Sequence, residues 1–482
     1  MKNNMKATTR KNLTLLTFLL ICQTTAAYNL STTYNGITFY FNTNSSALTA
    51  SVTYKDTNYN SYTASNITVP STVTNNGVTY TVTSIGTLAF DGCTELTSIT
   101  LPNTVTSIAS NAFYKCSSLT TVNFSDNLKT IAKWAFANCS SLHKLSIPSS
   151  VTSIGNNAFF NCTALTSINI PSSVTSIAIR TFYGCTSLET ITIPKGVTSI
   201  GDEAFENCTK LKSISLPDGV TSIGKKAFQD CTALTSITLP ESVTTIGANA
   251  FAGCKSMTSA NIPKNITSLS DYVFQNCSSL TTIDIPSSVT TIGAYAFYGC
   301  SSLQSINIPE GVTTIDDSAF AYCTSLSEIT IPTSVTSIGS SAFQYTSITS
   351  ITIPANVTSI GSYAFYQCKQ LTSVTSYMKT PPALGTSTFG DIADECTLTI
   401  PAGTASTYEQ KGWTKAVFKG GITEMALRGD VNNDNEVNVS DVTILVNAIL
   451  NSTYSTKADI NGDEIIDVSD VTEQINIILG NE

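Results

Sequence analysis

The chain is poor in charge and almost without histidine. Asp, Glu, Lys and Arg make up 12% of its 482 residues, and His143 is the only histidine. The net charge of −9 and the isoelectric point near 4.8 indicate no basic surface, which argues against nucleic-acid binding. A single histidine also argues against a Cys/His zinc site and against a histidine-dependent catalytic triad.

Long apolar runs are missing as well. The longest, residues 13–21, is too short to cross a bilayer. It follows a lysine-rich start and precedes Ala26 and Ala27, a pattern typical of a signal peptide over residues 1–27. Cys22 raises a lipoprotein alternative, which Ile21 disfavours because a small residue is expected there. The sequence therefore predicts a secreted, extracellular or cell-surface attached protein with no membrane span.

Cysteine, by contrast, recurs at one fixed interval. Eleven cysteines follow each other in steps of 23 residues: Cys93, Cys116, Cys139, Cys162, Cys185, Cys208, Cys231, Cys254, Cys277, Cys300 and Cys323. Equal spacing of this size is the signature of a solenoid with one supersecondary unit per repeat. Each unit buries its apolar face only against its neighbours. We assign the solenoid to residues 83–375.

The apolar positions recur with the same step. A phenylalanine column that begins at Phe90 and ends at Phe365 indicates thirteen coils. Segments such as Ile168-Asn169-Ile170 alternate and end at a proline, which predicts a short strand with one buried face. The Ala-Phe pair that follows a Thr-Ser-Ile-Gly turn predicts a short helical or 3₁₀ segment. The pattern thus predicts a coil of mostly β-strand with short helical segments.

The residues around each cysteine carry two further predictions. The preceding residue is Gly, Asn or Asp in nine of the twelve coils that keep the cysteine, as at Gly92 and Asn138. These residues tolerate positive φ, which predicts a left-handed turn residue. The cysteines themselves are interpreted as a column of buried free thiols. Disulfides between coils or a metal site are the alternatives, and parallel side chains oppose the disulfides.

The string I-G-x-x-A-F-x-x-C-x-x-L-x-x-I-x-I-P, seen at residues 292–309, resembles the BspA-like leucine-rich-repeat family of bacterial surface proteins. The resemblance covers about 290 residues. It implies an α/β leucine-rich-repeat solenoid and a role in adhesion to an extracellular protein or glycan.

Two segments flank the solenoid and lack its full pattern. Residues 28–82 alternate as strands, with Asn76-Gly77 as a hairpin signal. Because an open solenoid end would expose its core, we expect an N-terminal β cap there. Residues 376–425 repeat parts of the coil, including Phe389, and predict a C-terminal cap.

Residues 426–482 contain one acidic loop pattern twice. Oxygen-bearing residues stand at positions 1, 3, 5, 9 and 12 of each loop, as a hard cation such as Ca²⁺ requires. The predicted calcium ligands are Asp430, Asn432, Asp434, Glu436, Asn438 and Asp441, and Asp459, Asn461, Asp463, Ile465, Asp467 and Asp470. Short helices are predicted at 442–450 and 471–479. Position 6 holds Asn435 and Glu464 where glycine usually turns the chain, which predicts a weaker second loop.

The duplicated loop with aspartate at position 12 resembles a dockerin module. The resemblance implies a small all-α calcium-binding domain whose partner is a cohesin-type domain. It also implies a partner-binding face at Val439 and Ser440 with the helix that follows, or at Val468 and Ser469 by internal two-fold symmetry.

Two functional hypotheses follow. The first is a non-catalytic extracellular protein that recognises a host protein, glycan or cell surface and is attached through its dockerin. The alternative is an accessory component of a cohesin–dockerin assembly that degrades polysaccharide. An enzyme is not predicted, because acids outside the loops are scattered, as at Asp202 and Asp316, and form no pair suited to glycoside cleavage.

Overall fold

A computed structural model describes residues 28–56, 60–432, 434, 436–451, 453 and 455–480. The chain forms two compact units, of which the first ends at Cys254 and the second begins at Lys255. The two units contain about 15 solenoid turns. The predicted signal peptide lies outside the described residues. Within the described part of the chain, no helix combines the length and the apolar character that crossing a membrane requires.

The first unit is built from short strands. Its N-terminal segment contains β1 (Leu30–Tyr34), β2 (Ile37–Asn44), β3 (Thr49–Thr53), β4 (Asn66–Thr68), β5 (Thr72–Asn75) and β6 (Val78–Ile85). Its coils contain β7 (Ser98–Thr100), β8 (Ser107–Ile108), β9 (Thr121–Asn123), β10 (Thr130–Ile131), β11 (Lys144–Ser146), β12 (Ser153–Ile154), β13 (Ser167–Asn169), β14 (Ser176–Ile177), β15 (Thr190–Thr192), β16 (Ser199–Ile200), β17 (Ser213–Ser215), β18 (Ser222–Ile223), β19 (Ser236–Thr238) and β20 (Thr245–Ile246).

The N-terminal strands continue into the coils. β1, β2 and β3 pair antiparallel, and β5 and β6 form the hairpin predicted at Asn76 and Gly77, whose φ angles are 48° and 79°. β4 pairs in parallel with β7, and β6 pairs in parallel with β8. The segment therefore covers the start of both strand ladders, in keeping with the predicted cap.

Each coil contributes to two parallel ladders, whereas the sequence predicted one. The predicted strand pairs in register, for example Ile168 with Ile191. The Thr-Ser-Ile segment, predicted as a turn, is a second strand, in which Ile177 pairs with Ile200. This prediction was wrong because the buried isoleucines stack in register and two residues suffice for a ladder when every coil repeats them.

The Ala-Phe segment forms single turns rather than a continuous helix. Hydrogen bonds from residue i to i−3, such as Cys116 N–H to the Phe113 carbonyl at 3.2 Å, close these turns. The residue before the cysteine is left-handed as predicted, with φ of 61° at Asn138. A second left-handed residue, which was not predicted, lies four positions before the first in each coil. In the coil of Cys162 it is Asn157, with φ of 59°. Two such residues per coil prevent a helix from extending.

Phenylalanine and cysteine columns form the core of the first unit. Neighbouring rings stack nearly parallel; the centroids of Phe205 and Phe228 lie 5.3 Å apart with an interplanar angle of 5°. The described cysteines are free and buried, as predicted. The Cys208 thiol donates to the Phe182 carbonyl at 3.2 Å, and burial raises the pKa of that thiol well above its ordinary value.

The second unit repeats the coil and then changes. Its strands are β21 (Ser259–Ala260), β22 (Ser268–Leu269), β23 (Thr291–Ile292), β24 (Ser305–Ile306), β25 (Thr314–Ile315), β26 (Glu328–Ile329), β27 (Ser337–Ile338), β28 (Ser350–Ile353), β29 (Ser359–Ile360), β30 (Ser373–Ser376), β31 (Thr397–Ile400) and β32 (Gly421–Glu424). Its helices are α1 (Ala405–Gln410), α2 (Val439–Leu450) and α3 (Val468–Leu479).

An aromatic cluster ends the solenoid of the second unit. Phe389 stacks on Phe365 at 4.9 Å and contacts the rings of Trp413 and Phe418. The Trp413 indole N–H donates to the Pro382 carbonyl at 2.9 Å. Phe389 thus covers Phe365, the last phenylalanine of the column, and is itself covered by Trp413 and Phe418, in keeping with the predicted C-terminal cap. The boundaries assigned at residues 82, 375 and 425 stay predictions.

Candidate metal centre

The two acidic loops, residues 430–441 and 459–470, share one hydrogen-bond scaffold. In the first loop the buried Asp441 carboxylate accepts from the main-chain N–H groups of positions 2, 3 and 9 at 2.8, 3.1 and 2.9 Å. Asp470 accepts from the same positions of the second loop at 2.7, 3.1 and 2.9 Å. Each position-12 carboxylate therefore ties the two ends of its loop together.

The first half of each loop curls around its own side-chain oxygens. The residues at positions 1, 3, 5 and 7 are Asp430, Asn432, Asp434 and Glu436 in the first loop and Asp459, Asn461, Asp463 and Ile465 in the second. The position-5 N–H donates to the position-1 carboxylate at 3.1 Å in both loops. The position-7 N–H donates to the position-5 carboxylate at 2.9 Å in both. The two loops are thus built alike, although only their spacing was read from the sequence.

The donor types in these loops fit calcium. Their polar side chains at positions 1, 3, 5, 9 and 12 are carboxylates and amides, which offer the hard oxygen donors that Ca²⁺ prefers. Among the described residues, no three His, Cys, Asp or Glu side chains are grouped so that they could hold a metal ion. A complete oxygen shell in either loop would also draw on the amides and on the main-chain carbonyls of Glu436 and Ile465.

The helices begin inside the loops, three residues earlier than predicted. α2 starts at Val439 and α3 at Val468, because the position-9 side chains of Asn438 and Asp467 cap them. The position-12 carboxylate bonds back to the capping residue and completes a capping box. Position 12 therefore belongs both to the loop and to the first helical turn. The sequence-based prediction placed the helix after the loop and so missed this overlap.

Negative charge is concentrated in this region. Residues 426–482 contain eleven acidic side chains against Arg428 and Lys457, a formal charge of −9 that equals that of the whole chain. Hydrogen bonds from the hydroxyl and the N–H of Ser469 lower the pKa of Asp467 and keep it ionised. Such crowding opposes folding in the absence of a cation.

The second loop contains the strained turn that its sequence predicts. Glu464 at position 6 has φ of 65°, a left-handed conformation that is costly for a residue with a Cβ. Its N–H donates to the position-1 carboxylate of Asp459 at 2.9 Å. Asn435, the corresponding residue of the first loop, lies outside the described residues.

Each helix exposes an apolar stripe at the predicted partner-binding face. Val439 and Val468 are each 71% exposed, and the final residues Leu450 and Leu479 are 75% and 66% exposed. Thr443 and Val446 lie between the ends of the first stripe, and Thr472 and Ile475 occupy the same places in the second. We call these two sets the α2 stripe and the α3 stripe.

The opposite faces of the two helices pack against a small core. Leu445, Ala458 and Ile460 are buried together, with the partly buried Ala448 and Ile477 against them. Because the core uses other positions, the exposed stripes are not needed for the packing of the two helices. The prediction included the helix after Val439 without naming residues 443, 446 and 450 or their counterparts, which the spacing of three and four from Val439 could have identified.

The predicted serines differ between the two helices. Ser440 and Ser469 are both exposed beside their stripes. The Ser469 hydroxyl donates to Asp467 at 2.6 Å and accepts from the Asn461 amide at 2.8 Å. Ser469 is therefore tied to its loop as well as being placed on the predicted face.

Comparison with known proteins accounts for both parts of the chain. The family model of the BspA type leucine rich repeat region, in six copies, matches residues 59–188, 175–303, 244–372 and 290–405. The model of the dockerin type I domain matches residues 428–479. No curated protein matches the chain.

Solved structures resemble the repeat part. A leucine-rich repeat protein from Bacteroides ovatus is 26% identical, with a TM-score of 0.61, over 80% of this chain and 98% of that one. A leucine-rich cell surface protein from Faecalibacterium prausnitzii is 32% identical, with a TM-score of 0.47, over 72% of this chain and 95% of that one. The chain belongs to the BspA-type leucine-rich-repeat family and carries a C-terminal dockerin type I domain.

Proposed function

We propose that this protein is a non-catalytic extracellular binding protein, whose solenoid recognises a ligand and whose dockerin attaches it to a cohesin-type domain. The observation that carries the proposal is the duplicated apolar stripe of α2 and α3. Val439 and Val468 occupy the first turns of equivalent helices and are equally exposed. An exposed apolar patch that its own fold does not use is typical of a binding surface.

Calcium connects the loops to these stripes. We propose that the residues at loop positions 1, 3, 5, 7, 9 and 12 bind one Ca²⁺ in each loop. Position 12 lies in the first helical turn, next to the valine that begins each stripe. A cation that neutralises Asp441 and Asp470 would therefore fix the start of each helix and the stripe with it.

The duplication offers two equivalent docking faces. One partner domain would contact the α2 stripe or, after a half-turn of the module, the α3 stripe. Removal of one stripe should then leave binding intact, because the other remains. Removal of both should abolish binding.

The test uses the variants Val439→Asp and Val468→Asp, alone and combined. Aspartate is favourable in a first helical turn, so the helices are retained while the stripe acquires a charge. Binding of the full chain to a panel of purified cohesin-type domains is measured in calcium and in chelator. We expect each single variant to bind and the double variant to lose about thirtyfold or more, as at an interface hot spot.

A matched control sharpens this test. Ile444 is exposed on α2 but lies outside the α2 stripe, so Ile444→Glu should bind like the parent chain. Binding that is equal in calcium and chelator, or a double variant that binds normally, would overturn the docking proposal.

The alternative role, in a polysaccharide-degrading assembly, gains support from one groove of the first unit. This groove of about 520 Å³ is lined by the amides of Asn138, Asn161 and Asn207, by hydroxyls and by the Tyr183 ring. Uncharged amides, hydroxyls and an aromatic ring suit a neutral glycan. Binding of soluble polysaccharides that is lost in Asn161→Gly, which removes the amide and suits the left-handed backbone there, would favour this role.

A further inference from the structure

A connected set of tyrosines lies on the coils of the second unit. Tyr295, Tyr298, Tyr322, Tyr345, Tyr366 and Tyr363 form a chain of ring contacts with centroid separations of 5.5, 5.1, 4.6, 6.1 and 5.5 Å. We call this set the tyrosine surface. Tyr322 and Tyr363 are each 38% exposed, and the other four are partly exposed. None is part of the buried phenylalanine column.

The backbone of four of these tyrosines is left-handed. Tyr295, Tyr322, Tyr345 and Tyr363 have φ between 57° and 61°. A bulky side chain is costly in this region, where other coils place asparagine, as at Asn138, or another large residue, as at Lys226. Strain of this kind persists where surrounding structure maintains it, and it concentrates at functional sites.

Negative charge predominates in the coils that carry these tyrosines. Residues 265–368 contain no lysine, arginine or histidine, and their six acidic residues are Asp271, Asp284, Glu310, Asp316, Asp317 and Glu328. Lys369 follows in the coil of Tyr363 and Tyr366. Burial, two neighbouring tyrosines and Asp391 raise the pKa of Tyr345, so its phenol stays neutral. The coils of the tyrosine surface therefore carry more negative than positive charge.

The arrangement of the rings favours cations over flat sugars. Tyr322 and Tyr345 stack at 4.6 Å and cover each other's faces, so little flat ring area remains for a pyranose. Tyr366 lies nearly perpendicular to both Tyr345 and Tyr363, at 89° and 88°. Perpendicular rings with a neighbouring carboxylate, here Asp391, suit lysine or arginine side chains, which bind through cation–π contacts and charge.

An aromatic patch of the first unit provides a contrast. Tyr114, Trp134, Phe160 and Tyr183 also contact one another in series. There the Lys115 ammonium lies 5.1 Å from the centroid of the Tyr114 ring. That patch already has its own cation, which would repel a basic ligand.

We propose that the tyrosine surface binds a protein partner through a segment rich in arginine or lysine. The inference rests on the proposed function of the solenoid as a recognition element and names the partner chemistry for this surface. The partner's cationic groups would contact the exposed Tyr322 and Tyr363 rings, with the Asp391 carboxylate, which acts on Tyr345, completing the interaction.

The test measures binding of a synthetic peptide of repeating Arg-Gly-Ser units to the full chain, with calcium present so that the dockerin loops are neutralised. Gln-Gly-Ser and Glu-Gly-Ser peptides are the neutral and acidic comparisons. The variants are Tyr322→Asn and Tyr363→Asn, in which asparagine suits the left-handed backbone and keeps the coil folded. Trp134→Asn removes a ring from a matching left-handed position of the first unit and is the control.

We expect only the arginine peptide to bind and its affinity to fall as salt rises. Each tyrosine variant should weaken binding by about two- to fivefold, and both together by about five- to twenty-five-fold. Trp134→Asn should have no effect. The inference is overturned if the arginine peptide fails to bind, if it binds both tyrosine variants as well as the parent, or if the neutral peptide binds equally.

Docking to cohesin-type domains is measured on the same variants and should not change. A parent chain that docks normally but does not bind the arginine peptide would overturn this inference alone. Loss of docking in Val439→Asp with Val468→Asp, with retained peptide binding, would leave the tyrosine surface intact. Binding of a soluble polysaccharide that depends on Tyr322 would overturn the protein partner in favour of a glycan.

Discussion

The solenoid coils and the dockerin solve the problem of stability in opposite ways. Each coil buries a phenylalanine, a cysteine and several isoleucines against the next coil, so apolar packing between neighbours supplies its stability. Among its described residues, the dockerin buries Leu445, Ala458 and Ile460 as an apolar core, and its sequence carries the chain's entire net charge. The comparison indicates that one part folds by repetition, and that the other must offset its own negative charge, which we expect a bound cation to do.

Calcium removal should produce the largest difference in stability between the dockerin and the coils. Chelator is expected to melt α2 and α3, because the crowded carboxylates then repel one another, and to leave the β-rich coils intact. At calcium a thousandfold above Kd, each loop would contribute about 4 kcal/mol to folding. Circular dichroism of the full chain with and without chelator measures the helix loss. A helix signal that is unchanged in chelator would contradict the predicted dependence.

The converse test destabilises the coils instead of the dockerin, by truncating a side chain in the coil core. Phe228 is fully buried between Phe205 and Phe251, so Phe228→Ala should lower the free energy of unfolding of the coils by about 3–5 kcal/mol. The exposed Ser213→Ala should change it by about 0.5 kcal/mol or less. Denaturant unfolding measures both, and equal effects would mean that the buried and exposed faces are reversed.

A smaller effect is expected on the calcium affinity of the second dockerin loop. Glu464→Gly relieves the left-handed strain at position 6 and should tighten calcium binding by the second loop about fivefold, or by about 1 kcal/mol. Calorimetric titration measures the affinity. Glu464→Gln removes the charge but keeps the strain, so it should not reproduce this gain. An equal gain in both variants would assign the effect to charge.

Glu206 is an ionisable exception within the apolar coils. Burial, and then the nearby Glu203 carboxylate, raise its pKa from 4.5 to about 7. The folded chain therefore keeps a proton that the unfolded chain releases, and the free energy of unfolding should fall as pH rises from about 4.5 to about 7. Glu206→Gln should flatten this fall. Unfolding curves of the parent and the variant across that range measure the difference, and identical curves would contradict the shifted pKa.

Much of the coil was predictable because its signals repeat. Each of the thirteen predicted coils repeats the phenylalanine and twelve of them also keep the cysteine, so many weak patterns add to one strong one. The Thr-Ser-Ile strand was missed because two residues carry too little alternation to indicate a strand by themselves. It forms only because the identical segment of the next coil lies beside it, a long-range effect that local propensity does not contain.

The loops of the dockerin were predictable from residue spacing, and its surface was less so. Oxygen-bearing residues at fixed positions identified the two loops, and their role as metal ligands stays a prediction. The start of α2 was missed because Asn438 and Asp441 act both as loop residues and as helix caps. The tyrosine surface was missed for another reason. Rings that contact each other lie 3 to 24 residues apart along the chain, and those in different coils meet only when the coils stack.

The thiol column has a consequence for the biogenesis of the protein. An exported chain would enter an oxidising compartment with 14 cysteines, none of which is paired among the described residues of the folded protein. Before coils close, these thiols can cross-link at random; afterwards, burial and raised pKa values withhold the thiolates that oxidation needs. Successful secretion then requires that the coils fold faster than their thiols are oxidised. Slow-folding variants should accumulate as disulfide-linked aggregates.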